Sequence, residues 1–371
     1  RVGTMGPLSG LRVIEFAGLG PAPFAAMLLA DMGADVVRLE RANGDNLLDI
    51  EYDVLNRGKR SVVVDLKTPE GVDTALALLA HADVLIEGFR PGVMERLGLG
   101  PDACWPSNPA LIYARMTGWG QEGPLAQSAG HDINYIALSG ALGAMGEREG
   151  KPAIPLNLLG DFGGGAMYLA FGIMAALYEA QASGKGQVVD AAISDCTAHL
   201  STMLHGLMHN KRWRDERGTN LLDGAAPHYN TYQCADGQWI SIAPLEPKFY
   251  AEFLQRLQLQ DDEQFADCQS REQWPVLKER LAALFAEKDS AHWQALLEGS
   301  DCCFAPVLSL QDATRHPHNV ARDVFQTHDD CVQPAPAPRF SRTPGQIQGP
   351  PPAVSQHAAD VLRQWREERD Q

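Results

Sequence analysis

The first two hundred residues alternate short apolar segments with helix-like segments, and this alternation limits the folds open to the chain. The apolar segments, which are typical of buried strands, lie at 11–18, 34–40, 60–66, 83–89, 111–119 and 187–194. The helix-like segments lie at 23–33, 70–82 and 163–184. Thr68-Pro69 favours a helix start, because Thr caps a helix and Pro fits its first turn. The pattern predicts an α/β fold, a Rossmann-like and largely parallel sheet with crossover helices.

The pattern changes after residue 200. Residues 228–244 predict a β-hairpin that turns at Asp236-Gly237, and amphipathic helices follow around 246–258 and 273–298. We therefore expect a large domain over 5–200, a linker over 201–224 and a smaller α+β domain over 225–331. The proline-rich residues 332–352 are expected to run extended over the surface, and a last helix is expected at 355–368.

Charge and motif content exclude several classes of function. The net charge of −16 argues against a broad nucleic-acid surface, so we expect no nucleic-acid partner. The seven cysteines form no CxxC pair, and the HExxH, GxSxG and P-loop patterns are absent, so we expect no metal and no serine-hydrolase chemistry. No apolar run reaches the roughly 18 residues of a membrane span. Neither end resembles a targeting signal, so a cytoplasmic protein without a membrane partner is expected.

The stretch GLGPAPF, after the first predicted strand, resembles a dinucleotide fingerprint. Glu40 lies about 20 residues further on, where an acid would hold a ribose. The match fails because Pro23 stands at the third glycine position and Pro21 removes an amide that would face a pyrophosphate. The stretch therefore predicts a tight strand-to-helix turn rather than an NAD(P) or FAD site.

Basic residues cluster near the ends of the predicted strands. They are Arg38, Arg41, Lys67, Arg90, Arg96 and the run NRGKR at 56–60. In an acidic protein such a cluster suits a polyphosphate, since Arg offers paired donors and Lys a point charge. A solvated basic face is the alternative, and composition alone leaves both open.

His131, in SAGHDINY (128–135), and Asp161, in GDFGGG (160–165), are candidate acid/base residues. Each also has a structural explanation, His131 as an ordinary histidine at a helix start and Asp161 as an N-cap before a helix beginning at Gly163. Three glycines weaken a helix start unless the backbone must approach something closely, and exposed amides there suit an enolate oxygen. Two bases flanking one carbon are what a 1,1-proton transfer needs. From these residues alone, the structural and the catalytic interpretations both stay open.

A series of motifs, in order along the chain, carries a resemblance to a known family. They are PLSGLRVIEFAGLGP, LLADMGADVVRLER, DVLIEGFRPGVMERLGLGP, IYARMTGWGQEGP, AGHDINY, LNLLGDFGGGAM and SGKGQVVDAAISD, with APRFSRTP near the end. From about Gly6 to the C-terminal helix, the chain resembles the family III CoA-transferases of the CaiB/BaiF type. Within them it resembles the α-methylacyl-CoA racemase branch.

The resemblance implies epimerisation of 2-methylacyl-CoA thioesters at C2, by 1,1-proton transfer through an enolate. CoA would be part of the substrate, and no separate cofactor is expected. The nearest alternative is CoA transfer, in which Asp161 would attack an acyl-CoA and form a mixed anhydride. A non-catalytic CoA-binding protein is a second alternative. His131 separates the two branches, because the transferase branch does not characteristically carry GHDINY.

The resemblance also implies roles for individual residues. His131 and Asp161 would be the acid/base pair, Glu246 of LEPKFY would orient and polarise the histidine, and Asp132 would support the pair. The residues expected to contact CoA are Arg41, Val64, Asp65, Leu66, Lys67, Gly88, Phe89, Arg90, Arg96, Gly130, Ile133, Asn134 and Tyr135.

The family fold implies an interlocked homodimer. Its large, Rossmann-like CoA-binding domain would be completed by residues 332–371, and the smaller domain of one chain would cover the active site of the other. Glu246 would then reach His131 in trans. Met203, Leu204, Leu207 and Met208 are an adaptable apolar set that suits either an acyl chain or ordinary packing.

Overall fold

The computed structural model describes residues 6–44, 48–353 and 357–369. The strands of these residues are β1 Arg12–Phe16, β2 Asp35–Glu40, β3 Arg60–Val63, β4 Val84–Glu87, β5 Ile112–Thr117, β6 Val188–Ala192, β7 Asn230–Gln233, β8 Trp239–Ile242, β9 Phe304–Val307, β10 Phe325–His328 and β11 Cys331–Pro334.

The α-helices of the same residues are α1 Pro21–Asp31, α2 Pro69–Leu79, α3 Val93–Arg96, α4 Pro101–Cys104, α5 Asp132–Leu138, α6 Met167–Ser183, α7 Ile193–Leu200, α8 Thr202–His209, α9 Pro247–Arg256, α10 Trp274–Phe285, α11 Ser290–Leu297, α12 Leu310–Ala313, α13 Pro317–Ala321 and α14 Ala358–Arg369. A π-helix covers Leu158–Ala166. Short 3₁₀ turns cover Val54–Asn56, Leu142–Ala144, Glu263–Phe265 and Arg271–Gln273.

The first six strands form one sheet in the order β3-β2-β1-β4-β5-β6, and every pairing in it is parallel. Helices α1 and α6 pack on one face, and α2, α3 and α14 pack on the other. The structure thus confirms the predicted parallel α/β sheet. The strand order reverses between β1 and β4, and the helices that follow these two strands lie on opposite faces. Such a reversal leaves a crevice at the carboxyl edge of a sheet, where ligands of α/β proteins bind.

Local sequence signals explain where several helices begin. The side chain of Thr68 accepts the N–H of Gly71 at 3.1 Å, and Pro69 occupies the first turn of α2, as predicted. Gly20 precedes α1 with a φ of +77°, a left-handed backbone that favours glycine. The GLGPAPF stretch is therefore the tight strand-to-helix turn expected from its prolines.

The chain divides into two compact units. The first comprises the described residues of Arg1–Ser139, Pro155–Leu200 and Asp323–Gln371, and the second comprises Gly140–Ile154 and Ser201–Arg322. Residues 140–154, assigned to the large domain from the sequence, thus belong to the second unit, and α8 lies within the segment predicted as a linker. Met5, the predicted start of the large domain, and residues 355–356, the predicted start of the last helix, lie outside the described residues.

Helix α14 packs against the sheet of the first unit through Trp365. The indole is 1% exposed, its Nε1 donates to Asp35 Oδ2 at 2.9 Å, and the guanidinium of Arg12 lies 5.3 Å from the ring centroid. Arg12 also donates to the carbonyl of Trp365 at 2.9 Å. The last helix therefore contributes to the core of the first unit.

The segment before α14 is extended, as its prolines predicted, but it is not only a surface strand. Its N-terminal part, β11, pairs antiparallel with β10 in a hairpin that was not predicted from the sequence, and Gln333 within it is buried. Further on, the N–H of Gln346 donates to the carbonyl of Asp31 at 2.9 Å, and the N–H of Gly58 donates to the carbonyl of Gly349 at 2.9 Å. These hydrogen bonds attach the segment to the first unit.

The second unit contains a three-stranded antiparallel sheet in the order β7-β8-β9. Strands β7 and β8 form the predicted hairpin with its turn at Asp236-Gly237. Helices α9, α10 and α11 pack against this sheet around Phe253, Phe285 and Trp293. The helical region predicted at 273–298 is divided into α10 and α11, because the chain leaves helical geometry before Asp289, the N-cap of α11.

The π-helix and α6 together form a 26-residue helical run, Leu158–Ser183, in the first unit. By length and composition this run is apolar enough to cross a membrane, which contradicts the expectation that no segment is long enough. One side of it is buried: Leu169, Ile173 and Ala176 pack with α1 and the parallel sheet. Packing of this kind accounts for the apolar composition of that side.

Candidate active site

The candidate acid/base segments of the first unit meet near the start of α1. A Cβ added to Gly20 would lie 3.3 Å from Oδ2 of Asp161, so the Asp161 carboxyl group lies against the turn that follows β1. His131 is the N-cap of α5, with an extended backbone at φ −134°, and its side chain is exposed. The turn after β1 borders the crevice between β1 and β4, so Asp161 lies at the expected ligand-binding edge of the sheet.

Asp132 connects the two candidate segments. It is the first residue of α5, is 7% exposed, and its Oδ2 accepts the backbone N–H of Asp161 at 2.5 Å. Gly160 makes this contact possible, because a Cβ there would lie only 2.4 Å from Oδ2 of Asp132. The peptide group of Asp161 is thus attached to the residue that follows His131.

Asn134 closes the N-terminus of α5 around His131. Its Oδ1 accepts the backbone N–H of His131 at 3.0 Å, and its own N–H donates to the carbonyl of His131 at 2.9 Å. These two bonds hold the histidine backbone at the first turn. They also fix the direction in which its Cα–Cβ bond leaves the helix.

The surroundings of Asp161 favour its protonated form. Burial and the neighbouring Asp132 carboxylate raise the pKa of Asp161, while the Asn157 amide, 3.3 Å away, and the charge of His131 act in the opposite direction. Burial also raises the pKa of Asp132, against the lowering effect of the backbone amides of Asp161 and Gly160. A carboxyl group with a raised pKa serves as a proton donor and, once ionised, as a stronger base than a free aspartate.

The glycines after Asp161 do not begin a helix, so the N-cap interpretation of Asp161 is wrong. Asp161 lies inside the π-helix, which continues directly into α6. Amides of a π-helix pair with carbonyls five residues earlier, so the oxyanion-binding corner expected at Gly163 is also wrong. The glycines permit close packing instead: a Cβ on Gly164 would lie 2.4 Å from Oγ1 of Thr197, and one on Gly165 would lie 3.1 Å from Pro21.

Glu246 lies in the second unit, as the N-cap of α9, and is exposed. Burial and then the charge of Glu246 raise the pKa of Cys303, so the two side chains are neighbours within that unit. The expected action of Glu246 on His131 stays a prediction.

The residues expected to bind CoA follow strands of the parallel sheet or lie at the start of α5. Arg41 follows β2; Val64, Asp65, Leu66 and Lys67 follow β3; Gly88, Phe89 and Arg90 follow β4; Arg96 ends α3; and Gly130, Ile133, Asn134 and Tyr135 lie just before or within α5. The four cations of this set are all exposed, whereas Val64 is buried. Their contact with CoA stays a prediction.

Half of the cations in the predicted basic cluster are structural. The ion pairs are Arg57–Asp31 at 2.7 Å, Lys59–Glu15 at 2.7 Å, Arg60–Asp35 at 2.6 Å and Arg38–Glu40. The side chain of Lys59 is completely buried, and that of Arg57 is 5% exposed. The run at 56–60 is therefore neither a polyphosphate site nor a solvated basic face.

An open groove of about 580 Å³ lies beside α5 in the first unit. It is lined by Trp119, Leu125, Ser128, Ala129, Asn134, Ala137 and Leu138. The rings of Trp119 and Tyr135 meet edge to face with centroids 4.7 Å apart, and the Tyr135 hydroxyl donates to the carbonyl of Gly130. A Cβ on Gly130 would lie 2.9 Å from the Tyr135 ring, so only glycine fits there. Burial and the charge of Asp161 raise the pKa of Tyr135, which connects the groove with the acid/base site.

Two residues around Asp161 were not predicted from the sequence. Asn157 precedes Asp161 by one helical turn, and this spacing would have identified it if the helix had been predicted to begin at Leu158. Gly20 was considered only as part of a failed dinucleotide motif, although it lies against the Asp161 carboxyl group. A metal site is not indicated: the described residues contain no group of three or more His, Cys, Asp or Glu that could hold an ion.

Comparison with known proteins places this arrangement in a family. Residues 8–358 match the model of CoA-transferase family III. The chain is 45% identical over 362 residues to the alpha-methylacyl-CoA racemase of Mus musculus, covering 96% of this chain and 93% of that protein. It is 43% identical over 368 residues to the alpha-methylacyl-CoA racemase of Homo sapiens, covering 98% and 94%.

Solved structures agree with the sequence relatives. The crystal structure of a CaiB/BaiF family protein from Brucella suis matches with a TM-score of 0.84 at 26% identity, covering 97% of this chain and 100% of that chain. The predicted resemblance is confirmed at the level of sequence, fold and length. This chain belongs to CoA-transferase family III.

Proposed function

We propose that this chain is an α-methylacyl-CoA racemase, an isomerase that epimerises 2-methylacyl-CoA thioesters at C2. Identities of 45% and 43% to two racemases over nearly the whole chain support the activity. The structural observation that carries the proposal is the connection of His131 to Asp161: Asp132, which follows His131, accepts the Asp161 amide at 2.5 Å. An imidazole and a carboxyl group with a raised pKa are thereby held in one site.

The reaction needs a base on one face of C2 and an acid on the other. Neutral His131 removes the C2 proton of one epimer, the electron pair moves into the thioester carbonyl, and protonated Asp161 delivers a proton to the opposite face of the enolate. The reverse direction starts from the Asp161 carboxylate and the protonated imidazole. A raised pKa of Asp161 brings these two protonation states closer in free energy, which allows both directions to run at one pH.

The enolate oxygen must be stabilised, because the α-carbon of a thioester is a much weaker acid than any side chain. The amide of Asp161 is occupied by Asp132, and the π-helix occupies the glycine amides. The backbone N–H of Asp132 has no acceptor within α5, since the first amides of a helix have no intrahelical partner. It lies one residue from His131 and is our candidate donor to the oxyanion.

CoA is part of the substrate in this mechanism, and no separate cofactor is required. Four exposed cations at the edge of the sheet and on α3 would meet its anionic groups: Arg41, Lys67, Arg90 and Arg96. The chain has a net charge of −16, so acids outnumber cations in it. A group of four exposed cations is therefore a specific feature of this part of the surface. We also propose that Glu246 acts on His131 of the other chain of the dimer. Helix α8 would contribute an apolar surface for the acyl chain.

Incubation with a single epimer of a 2-methylacyl-CoA in D₂O is expected to introduce deuterium at C2 and to remove optical purity, without any carboxylate acceptor. Mass spectrometry and chiral separation of the hydrolysed acid measure the two effects. A straight-chain acyl-CoA, which has no stereocentre at C2, is the control that reports proton exchange alone. Bound substrate that neither exchanges nor epimerises would refute the proposal.

CoA transfer is the alternative within the family, and the same incubation distinguishes it. A transferase would form product only with a carboxylate acceptor, and its Asp161 anhydride would react with hydroxylamine or borohydride during turnover, which labels the residue. Turnover that depends on the acceptor would favour this alternative. Binding of CoA without proton exchange or CoA transfer would indicate a non-catalytic CoA-binding protein.

The exposed side of α6 supports assembly with a second copy of this chain. Met167, Phe171 and Tyr178 are 48%, 73% and 80% exposed, and their spacing places them on one side of the helix. Large exposed apolar side chains that share one face are typical of a surface that a partner covers. We propose that this surface belongs to the homodimer that the family resemblance implies.

The variant Phe171→Glu is expected to shift the protein from dimer to monomer or weaken dimerisation at least tenfold, because a buried charge without a partner costs at least about 1.4 kcal/mol in an interface. Sedimentation equilibrium over a concentration series measures the shift. Val276→Glu, at an apolar residue that is 43% exposed on α10, is the matched control. Unchanged association of the Phe171 variant would exclude α6 from the interface.

A further inference from the structure

Arg115 is a buried cation that neither the motifs nor the proposed mechanism account for. It lies on β5 and is 8% exposed, and its in-register neighbour on β4 is Glu87. The Nε atom of Arg115 lies 3.1 Å from Oε1 of Glu87, which is itself 2% exposed. A buried ion pair of this kind is often no more stabilising than two apolar side chains of the same volume. Its presence therefore needs an explanation other than the stability of the sheet.

Glu87 connects this ion pair to the turn that follows β4. Its Oε2 accepts the backbone N–H of Phe89 at 2.9 Å, so one carboxylate forms an ion pair with Arg115 and a hydrogen bond with the first residues after the strand. Burial raises the pKa of Glu87 to about 7, although Arg115 and the Phe89 amide act in the opposite direction. Burial outweighs these two groups, so the charged form of Glu87 is disfavoured relative to that of a free glutamate.

Arg115 also reaches α3, on the far side of the same turn. Its Nη2 donates to Oε1 of Glu95, whose side chain is 45% exposed. Tyr113, two residues earlier on β5 and on the same face, lies with its ring 4.8 Å from the Arg115 guanidinium and donates its hydroxyl to the carbonyl of Leu99 at 2.7 Å. Three contacts therefore hold residues 88–99 in place. They are made by the N–H of Phe89, the carboxylate of Glu95 and the carbonyl of Leu99.

Two exposed cations of the candidate CoA site lie on this held segment. Arg90 follows Phe89, and its Nη1 lies 3.5 Å from the carbonyl of Gln127. Arg96 follows Glu95, and its guanidinium folds back over the turn: a Cβ on Gly92 would lie 2.9 Å from Nη1 of Arg96. Gly92 has a φ of +88°, a left-handed backbone that favours glycine. Both cations thus lie on a segment whose backbone is held by contacts that converge on Arg115.

We propose that Arg115 is a positioning residue for CoA binding, acting through Glu87 and Glu95 to hold Arg90 and Arg96 at the edge of the sheet. The inference rests on the proposed function, because it takes CoA as the ligand of the two cations. Positioning matters here because a flexible arginine loses conformational freedom each time it binds an anion, and a held one loses less. Arg115 itself is buried and does not touch the ligand.

The test is Glu95→Gln, which removes the exposed end of the network without leaving a buried charge unpaired. Coenzyme A itself is the probe, titrated calorimetrically into the full chain, together with steady-state racemisation. We expect CoA affinity to fall and KM to rise roughly three- to tenfold, with kcat unchanged. Simple electrostatics predicts the opposite sign, because removal of a negative charge beside Arg96 would strengthen the binding of an anion.

A second comparison separates positioning from loss of structure. In a background that carries Arg90→Gln and Arg96→Gln, the effect of Glu95→Gln on CoA affinity is expected to disappear, because no cation is left to position. Asp35→Asn is the matched control: Asp35 has a 37% exposed side chain and pairs with Arg60 on the same sheet, and its replacement should leave CoA affinity unchanged.

The outcomes distinguish this inference from the proposed function. If the unmodified chain does not bind CoA, the proposed function fails. If it binds CoA but Glu95→Gln binds equally well or more tightly, the positioning role of Arg115 is overturned. A loss of affinity that persists in the Arg90 and Arg96 background also overturns it, because the contact would then act on the structure in general.

Discussion

Replacement of His131 by alanine is expected to abolish racemisation in both directions. Each direction needs an acid as well as a base, so the loss of one residue removes the acid from one direction and the base from the other. A positioned acid/base group contributes about 10²- to 10⁴-fold to such a step, and the rate in each direction should fall by at least the lower figure. Conversion of each pure epimer, followed by chiral separation, measures the loss.

The same variant should retain a partial reaction that identifies the remaining group. Asp161 alone can still remove and return a proton on one face, so one epimer is expected to exchange with D₂O while its configuration is retained. His357→Ala, at an exposed histidine before α14, is the matched control and should leave the rates unchanged. If the His131 variant keeps full racemase activity, its assignment as an acid/base residue is wrong.

Elements whose determinants are local could be predicted from the sequence. The strands of the parallel sheet follow from continuous apolar runs, and α2 follows from Thr68 and Pro69, whose capping contact the structure confirms. The hairpin of β7 and β8 follows from Asp236-Gly237 between two alternating segments. In each case the residues that determine the element lie within it or next to it.

The π-helix could not be predicted, because its cause is not local. Glycines at 163–165 suggest a helix start when only neighbouring residues are considered. In the structure, the backbone of this segment is set by partners far away in sequence: Asp132 takes the amide of Asp161, and Thr197 packs against Gly164. A bulge in a helix that serves such contacts has no sequence period of its own.

The structural role of the run at 56–60 could not be predicted for a related reason. A sequence shows how charges are arranged along the chain, but the partners of Arg57 and Lys59 are Asp31 on α1 and Glu15 on β1. These acids are brought close only when β3, β2 and β1 join one sheet, with β2 between the other two strands. The net charge of −16 is a sum in which a paired cation and acid cancel. It therefore cannot show which cations stay exposed.

Residue patterns alone did not determine the roles of the acid/base residues. Spacing and glycine content left the catalytic and structural interpretations of His131 and Asp161 open, and the family resemblance indicated the pair. The structure adds a physical connection through Asp132 and a raised pKa of Asp161, neither of which the motifs contain. The role of Glu246 depends on a relation between chains and stays a prediction.

The variant Asp161→Asn is expected to abolish racemisation as completely as the His131 variant, by about 10²- to 10⁴-fold, but to retain the opposite partial reaction. Asparagine has the shape of aspartate and fits against Gly20 and Asn157, so the site should keep its structure. His131 can still exchange the C2 proton on its own face. The epimer that exchanges its C2 proton in D₂O should therefore be the one that does not exchange in His131→Ala.

Comparison of the epimers that exchange in the two variants also distinguishes racemisation from CoA transfer. An anhydride mechanism requires the Asp161 carboxylate, so a transferase carrying Asp161→Asn would lose all turnover and would show no exchange selective for one epimer. Mass spectrometry of each epimer after incubation in D₂O gives the answer directly, and Asp102→Asn, at an exposed acid on α4, is the control. Exchange of the same epimer in both variants would exclude a two-base mechanism. Exchange of opposite epimers requires His131 and Asp161 to act on opposite faces of C2, because each variant then reports the face of the group it retains.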